Sequence, residues 1–228
     1  MASRGRPLEG CDEALLANDG REYMMGIDEA GRGPLLGAMV YGSAFCAVDD
    51  EDKLRGMGFN DSKQLTEAKR EQLWDQIQTC GFIGWRIRVL EAKEISEGML
   101  RRHNKYNLNA MSHDAAIGLV QGVLASGVNL RFLYVDTVGD PQRYQAKLAD
   151  LFPSLRVVVE KKADATYPVV SAASICAKVT GAMFLRINDA RARPPPRLGF
   201  GASASAEPAA GGGARVLACR ANAQPPPT

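Results

Sequence analysis

Three stretches of the 228-residue chain run apolar and then stop on acids, and those acids are the residues with the clearest chemical potential. Tyr23-Met-Met-Gly-Ile ends on Asp28 and Glu29, Leu130-Arg-Phe-Leu-Tyr-Val ends on Asp136, and Asp164 lies in a turn shortly after Val157-Val-Val-Glu160. Taken singly, a strand-terminal Asp reads as a turn or helix cap. Brought together by neighbouring strands, four carboxylates repel one another by ~1–4 kcal/mol per pair, and desolvation adds to that. A divalent cation is the natural compensation. Oxygen-only donors suit hard Mg²⁺ or Mn²⁺, and two such ions roughly 3.5–4 Å apart can bracket an in-line phosphoryl displacement. Gly31-Arg32-Gly33 follows the first acids at once. Its backbone can approach a ligand closely and its guanidinium can hold a phosphate or a sugar hydroxyl.

These acids need a sheet to position them. The run 23–28 reads as a buried strand, the small and apolar segment 36–48 as a second, and 82–90 as a third with Ile83, Trp85, Ile87 and Val89 on one face. Leu130–Asp136 is apolar on both faces, as a buried parallel strand is, and 157–160 is a further strand. Thr66 followed by Glu67 predicts a capped helix of about three turns carrying Leu73 and Ile77. The best helix starts near Asn107, with Leu108, Met111, Ala115, Leu119 and Val123 in helical register, and stops at Ser126-Gly127. Asp140-Pro141 opens another. From Pro168 to Lys178 the chain is mostly Ala, Ser and Val, side chains small enough for a helix to lie close on a sheet. The expected class is α/β, a mixed sheet covered by helices.

Composition bounds the rest. A formal net charge of +2 and 46% hydrophobic residues describe an ordinary globular chain, and no stretch has ~18 uninterrupted apolar residues or an N-terminal signal core. Cys11, Cys46, Cys80, Cys176 and Cys219 are odd in number and lack Cys-x-x-Cys spacing, so reduced thiols are expected rather than a disulfide framework or a zinc site. The charge is uneven: residues 191–228 hold five arginines, no lysine and the single acid Glu207. That segment is dominated by Ala, Gly and Pro and lacks the apolar surface to offset chain entropy. Three regions are therefore expected: a flexible N-terminus at 1–19, a folded catalytic domain at 20–190 and a disordered low-complexity tail at 191–228. Ala, Gly, Pro and Arg without Lys is also what GC-rich DNA encodes in an arbitrary frame, which suggests a spliced or frame-shifted end.

Five motifs occur in a familiar order. They are Asp28-Glu-Ala-Gly-Arg-Gly-Pro34, Asp61-Ser-Lys63, Lys105-Tyr-Asn-Leu-Asn109, Val135-Asp-Thr-Val-Gly139 and Lys162-Ala-Asp-Ala-Thr-Tyr-Pro-Val-Val-Ser-Ala-Ala-Ser174. Over about residues 20–180 the chain resembles type 2 ribonucleases H, the eukaryotic catalytic subunits in particular. The resemblance implies a ribonuclease H-like fold with a central mixed five-stranded sheet flanked by helices. It implies cleavage of the RNA strand of RNA/DNA hybrids and incision at ribonucleotides embedded in duplex DNA. The metal-binding and catalytic carboxylates would be Asp28, Glu29, Asp136 and Asp164, holding two Mg²⁺ or Mn²⁺ ions. Gly31, Arg32 and Gly33 would grip the 2′-hydroxyl, Ser62 and Lys63 the phosphate backbone, and Asn107 or Asn109 would reach the DNA strand. Two non-catalytic subunits and a nuclear location are implied as well, with the cytosol as the alternative, and neither membrane association nor secretion.

Past Val179 the resemblance stops. The family's Tyr-Gly-Ser-Gly-Tyr-Pro stretch, whose first tyrosine stacks at the ribonucleotide–deoxyribonucleotide junction, has no counterpart in the sequence. A second reading is therefore a catalytically impaired isoform lacking the junction-sensing and subunit-docking region. A nucleotide-dependent phosphotransferase would account for acids at strand ends, but no Gly-x-x-x-x-Gly-Lys-Ser/Thr loop is present. His103 and His113 are assigned structural roles, as is usual for helical histidines.

Overall fold

The computed structural model describes residues 8–10, 20–32, 38–59, 65–101, 103, 106–137 and 139–192. Six strands among them form one sheet: β1 (Leu8–Gly10), β2 (Tyr23–Ala30), β3 (Met39–Ala47), β4 (Gly84–Leu90), β5 (Leu130–Asp136) and β6 (Arg156–Glu160), in the order β1-β4-β3-β2-β5-β6. β1 to β2 is an antiparallel half, whereas β5 and β6 continue parallel to β2. The five central strands are the mixed sheet the sequence implies. Its sixth member comes from 1–19, where a flexible terminus was expected: Leu8, Glu9 and Gly10 pair with Ile87, Arg86 and Trp85 at the sheet edge.

The helices are α1 (Glu51–Gly56), α2 (Glu67–Thr79), α3 (Ala92–Met99), α4 (Leu108–Ala125), α5 (Pro141–Leu151), α6 (Ala163–Thr166) and α7 (Pro168–Ala192). Their starts follow capping chemistry. Thr66 accepts from the Lys69 amide, Asn107 from the Ala110 amide, and Asp140 from the amides of Gln142 and Arg143 ahead of Pro141. α7 runs well beyond the expected stop near Lys178, because Thr180 to Ala192 contains no proline and only one glycine. Pro168–Ile187 is long and apolar enough to cross a bilayer by composition, but 56% of its most apolar window is buried within the protein.

The period of two along each strand divides the core in two. Tyr23, Met25, Ile27, Met39, Tyr41 and Phe45 face α4 and α5 with Leu133 and Val135, while Met24, Val40, Ala44 and Cys46 face α7 and α2. Ile83, Trp85, Ile87 and Val89 belong to the second face, as the alternation predicts.

α7 lies unusually close to the sheet, and two glycines make that possible. A Cβ on Gly26 would meet the Val169 carbonyl at 2.4 Å, and one on Gly42 would meet the Ala173 oxygen at 2.5 Å and the Ala177 nitrogen at 2.7 Å. The small residues of α7 sit on the bare backbone of β2 and β3. Gly42 is the cross-strand neighbour of Asp28, so this contact also sets how near α7 comes to that acid.

Candidate active site

Ile27 pairs with Val135 across the parallel β2–β5 ladder, which puts Asp28 and Asp136 side by side at the carboxyl ends of neighbouring strands. Asp164 arrives from α6. Between β6 and α6 the chain turns at Lys162, whose φ of 60° makes it the single non-glycine residue in the left-handed region among those described. The reversal aims the first turn of α6 back at the sheet. Asp28, Asp136 and Asp164 each offer a carboxylate oxygen within 4.8 Å of the others.

Glu29 stands apart from these three. Adjacent strand residues point to opposite faces, so Asp28 lies toward α7 while Glu29 lies on the α4 side beside its cross-strand partner Tyr41. Arg32 Nη1 donates to Glu29 Oε1 at 3.2 Å, and Arg32 Nη2 is held by Asn109 Oδ1. The four acids expected in one cluster are therefore a triad plus a neighbour close enough for the Asp136 charge to raise its pKa.

The electrostatics follow from burial. Asp28 is 5% exposed, and its carboxyl is pushed up to about 7, chiefly by desolvation and further by Asp136, against the pull of the Ser174 hydroxyl, the Glu29 amide and Lys178. Burial also raises Asp136, with Asp164 adding like charge and the amides of Ala163, Lys162 and Thr137 opposing. Those of Thr137 and Ala163 donate to Asp136 Oδ1 at 3.0 and 3.2 Å. Glu29 is raised by desolvation, with the Arg32 guanidinium pulling the other way. Asp164 Oδ2 is buried without any hydrogen-bond partner. A buried carboxylate oxygen left without a partner, on a residue grouped with two more carboxylates, is what a bound cation would satisfy, and the all-oxygen donor set fits Mg²⁺ or Mn²⁺.

A cleft of about 610 Å³ opens beside this centre on the α4 side, bordered by Asp136 of the triad and lined by Glu29, Arg32, Asn107, Asn109 and residues of α4 and α5, including Arg143 and Lys147. Asn107 and Asn109 do reach it, yet the Asn107 side-chain oxygen caps α4 and that of Asn109 is taken by Arg32. Gly31 is described, in the left-handed region at φ 81° and with no room for a Cβ against the Ala38 carbonyl. Gly33, Ser62 and Lys63 lie outside the described residues, as does the tail from 193 onward.

Sequence reasoning passed over several residues here. Ser174 and Lys178, one helical turn apart on α7, both act on Asp28; their signal was the i, i+4 spacing of two polar residues in an otherwise small apolar run. His113 was set aside as structural. It does pack, stacked on Tyr144 with centroids 3.9 Å apart, but on the cleft wall, where burial and Lys147 lower its pKa.

A mixed sheet with acids gathered at the ends of its parallel strands, covered by helices on both faces, is a ribonuclease H-like fold. The chain belongs to the ribonuclease HII family, whose signature matches residues 25–210. That match continues past Val179, where the motif-by-motif resemblance stops. The chain is 50% identical to the A subunit of ribonuclease H2 from Arabidopsis thaliana over 69% of its own length and 53% of that protein. It is 51% identical to the Homo sapiens counterpart over 68% of its length and 52% of the relative. Among solved structures, the ribonuclease H2 of Pyrococcus horikoshii is similar at 33% identity and a TM-score of 0.62, over 74% of this chain and 76% of that one. The chain thus spans about half the length of the curated relatives it matches.

Proposed function

We propose that the protein is an endonuclease that hydrolyses the RNA strand of RNA/DNA hybrids and incises duplex DNA at embedded ribonucleotides, leaving 3′-hydroxyl and 5′-phosphate ends. The observation that carries this reading is the triad Asp28, Asp136 and Asp164, with its orphaned buried oxygen, in a chain of the ribonuclease HII family. Asp28, Asp136 and Asp164, with Glu29 beside them, would hold two Mg²⁺ or Mn²⁺ ions, which supply an acidified water and charge stabilisation at the leaving oxygen. The chain's own residues do the rest. Asp28, desolvated and about half protonated near pH 7 when no cation is bound, would have to release that proton for a cation to be held there. Asp136 is kept in one orientation by the amides on its Oδ1.

Arg32 is oriented at both ends, by Glu29 and by Asn109, so its guanidinium enters the cleft in a fixed direction. With Gly31 and Gly33 it would read the 2′-hydroxyl that separates ribose from deoxyribose. Arg143 and Lys147 on the cleft wall would carry phosphates of the duplex, with Ser62 and Lys63 as further contacts. The relatives are each named as one subunit of ribonuclease H2, which supports a partner role for two non-catalytic subunits here too. A nuclear site of action accompanies this reading, and the location of a tagged full-length chain tests it.

The deciding experiment is metal-dependent cleavage of a duplex carrying one ribonucleotide, beside a continuous hybrid and an all-DNA control. Cleavage of a ribose-containing substrate that is lost in Asp28→Ala is the expected result. Failure of a cooperatively folded protein to cut either substrate would instead favour the catalytically impaired isoform.

A further inference from the structure

Among the described residues, two buried side-chain oxygens have no hydrogen-bond partner, and both border the same site: Asp164 Oδ2 and the hydroxyl of Tyr41. The first is accounted for by the cation the triad is built to hold. The second is not. Tyr41 is 3% exposed; its ring belongs to the α4-side core, its hydroxyl is buried, and the residue borders the cleft. An unpartnered phenol in such a place is destabilising, and Phe at the same position would avoid that.

What the hydroxyl faces explains it. Tyr41 and Glu29 are direct cross-strand partners on one face of the sheet. Arg32 occupies Glu29 Oε1. The ladder places the phenol beside that carboxylate, although no hydrogen bond has closed between them. Ser112 stands on the other side, its own proton committed to the Leu108 carbonyl at 2.9 Å. It can only accept from Tyr41. Tyr41 is thus a committed donor with one anionic acceptor beside it.

We propose that Tyr41 is a positioning residue. Its hydroxyl donates to Glu29 and fixes that carboxylate, against the pull of Arg32, in the rotamer that completes the acidic site. This inference rests on the metal-dependent reading given above. It assigns the phenol no contact with substrate.

The test is calorimetric titration of Mn²⁺ into the full chain without nucleic acid, for the wild type, Tyr41→Phe, Glu29→Ala and the double variant, with each chelated protein's thermal midpoint measured in parallel. Tyr41→Phe is expected to weaken Mn²⁺ binding about tenfold, the usual scale for losing a partner of a metal ligand, with a chelated midpoint equal to or above the wild type's. In the Glu29→Ala background the same change should add nothing, because the phenol acts through Glu29 and alanine leaves it no acceptor there. Equal Mn²⁺ affinity in the wild type and Tyr41→Phe overturns the proposal, as does an equal loss with and without Glu29. A lower chelated midpoint with unchanged binding marks a merely structural hydroxyl and also overturns it. A folded wild type that binds no Mn²⁺ at all brings down the underlying reading, and this proposal with it.

Discussion

Removing the cation should leave a protein whose stability falls as pH rises, and Asp28 sets the size of the effect. Its carboxyl titrates at about 7 in the folded protein against 3.8 in an unconstrained chain. The folded state therefore prefers the protonated acid, so this contribution is whole below pH 4 and is lost as pH rises through 7. The gap is worth on the order of 4 kcal/mol, at about 1.4 kcal/mol per tenfold. His113 works oppositely: its lowered pKa is a stabilising contribution above the ordinary histidine range that is lost as pH falls through its folded value. Comparison with Asp28→Asn separates the two. Urea unfolding in chelator from pH 5 to 8 should find Asp28→Asn gaining on the wild type with pH by about 3 kcal/mol, the part of that gap the window spans, or a midpoint difference of about 1–2 M. That figure is an upper one, since the substitution also relieves Asp136 of a like-charged neighbour. Mg²⁺ or Mn²⁺ at pH 8 should close most of the gap by stabilising the wild type alone. A difference that stays flat with pH would refute the reasoning, because a carboxylate desolvated as the structure has it must titrate.

Gly42→Ala drives a methyl group into the backbone of α7 and should cost about 1–3 kcal/mol in chemical unfolding, with weakened metal binding as Ser174 and Lys178 are lifted from Asp28. Asp164→Asn should fold but lose the metal-induced rise in thermal midpoint; the wild type should gain about 2.7 kcal/mol with Mn²⁺ at a hundred times its Kd. Asn107→Ala and Asn109→Ala should part company. The first loses an N-cap and about 1 kcal/mol of stability, read as a lower midpoint; the second leaves the midpoint unchanged but frees Arg32, reducing discrimination between ribose-containing and all-DNA duplexes in cleavage assays.

Much of this was legible in the chain because the physics involved is local. Strand and helix bounds followed from periodicity and caps: Leu130–Asp136 and Leu108–Ala125 lie where the pattern of apolar residues puts them. Asp28 and Asp136 stand out because each ends an apolar run, and Asp164 because it lies in a turn just after one. What remained hidden depended on the third dimension. That Glu29 faces away from Asp28 is implicit in the period of two, but its partnership with Tyr41 needs the β2–β3 register, which no single strand encodes. The left-handed turn at Lys162 gave no sign, since lysine is not a residue that favours it. Gly26 and Gly42 lie within runs that read as strands, and nothing local shows that α7 rests on them.

That contact also has a consequence in time. Gly26 meets Val169, and Gly42 meets Ala177, across most of the folded sequence. While the chain is being made, β2 and β3 leave the ribosome long before the helix that covers them, an interval on the order of 10 s at ~5–20 residues per second. During it the Met24, Val40 and Ala44 face of the hairpin lacks α7 and has only α2 to pack against, and Asp28 has neither Asp164 nor Ser174 beside it. Cation affinity is thus acquired late, in the step that buries the last apolar face. A nascent chain should be unable to capture metal until α7 docks, and a variant slow to dock it should be held by chaperones as a sheet missing that helix on one side.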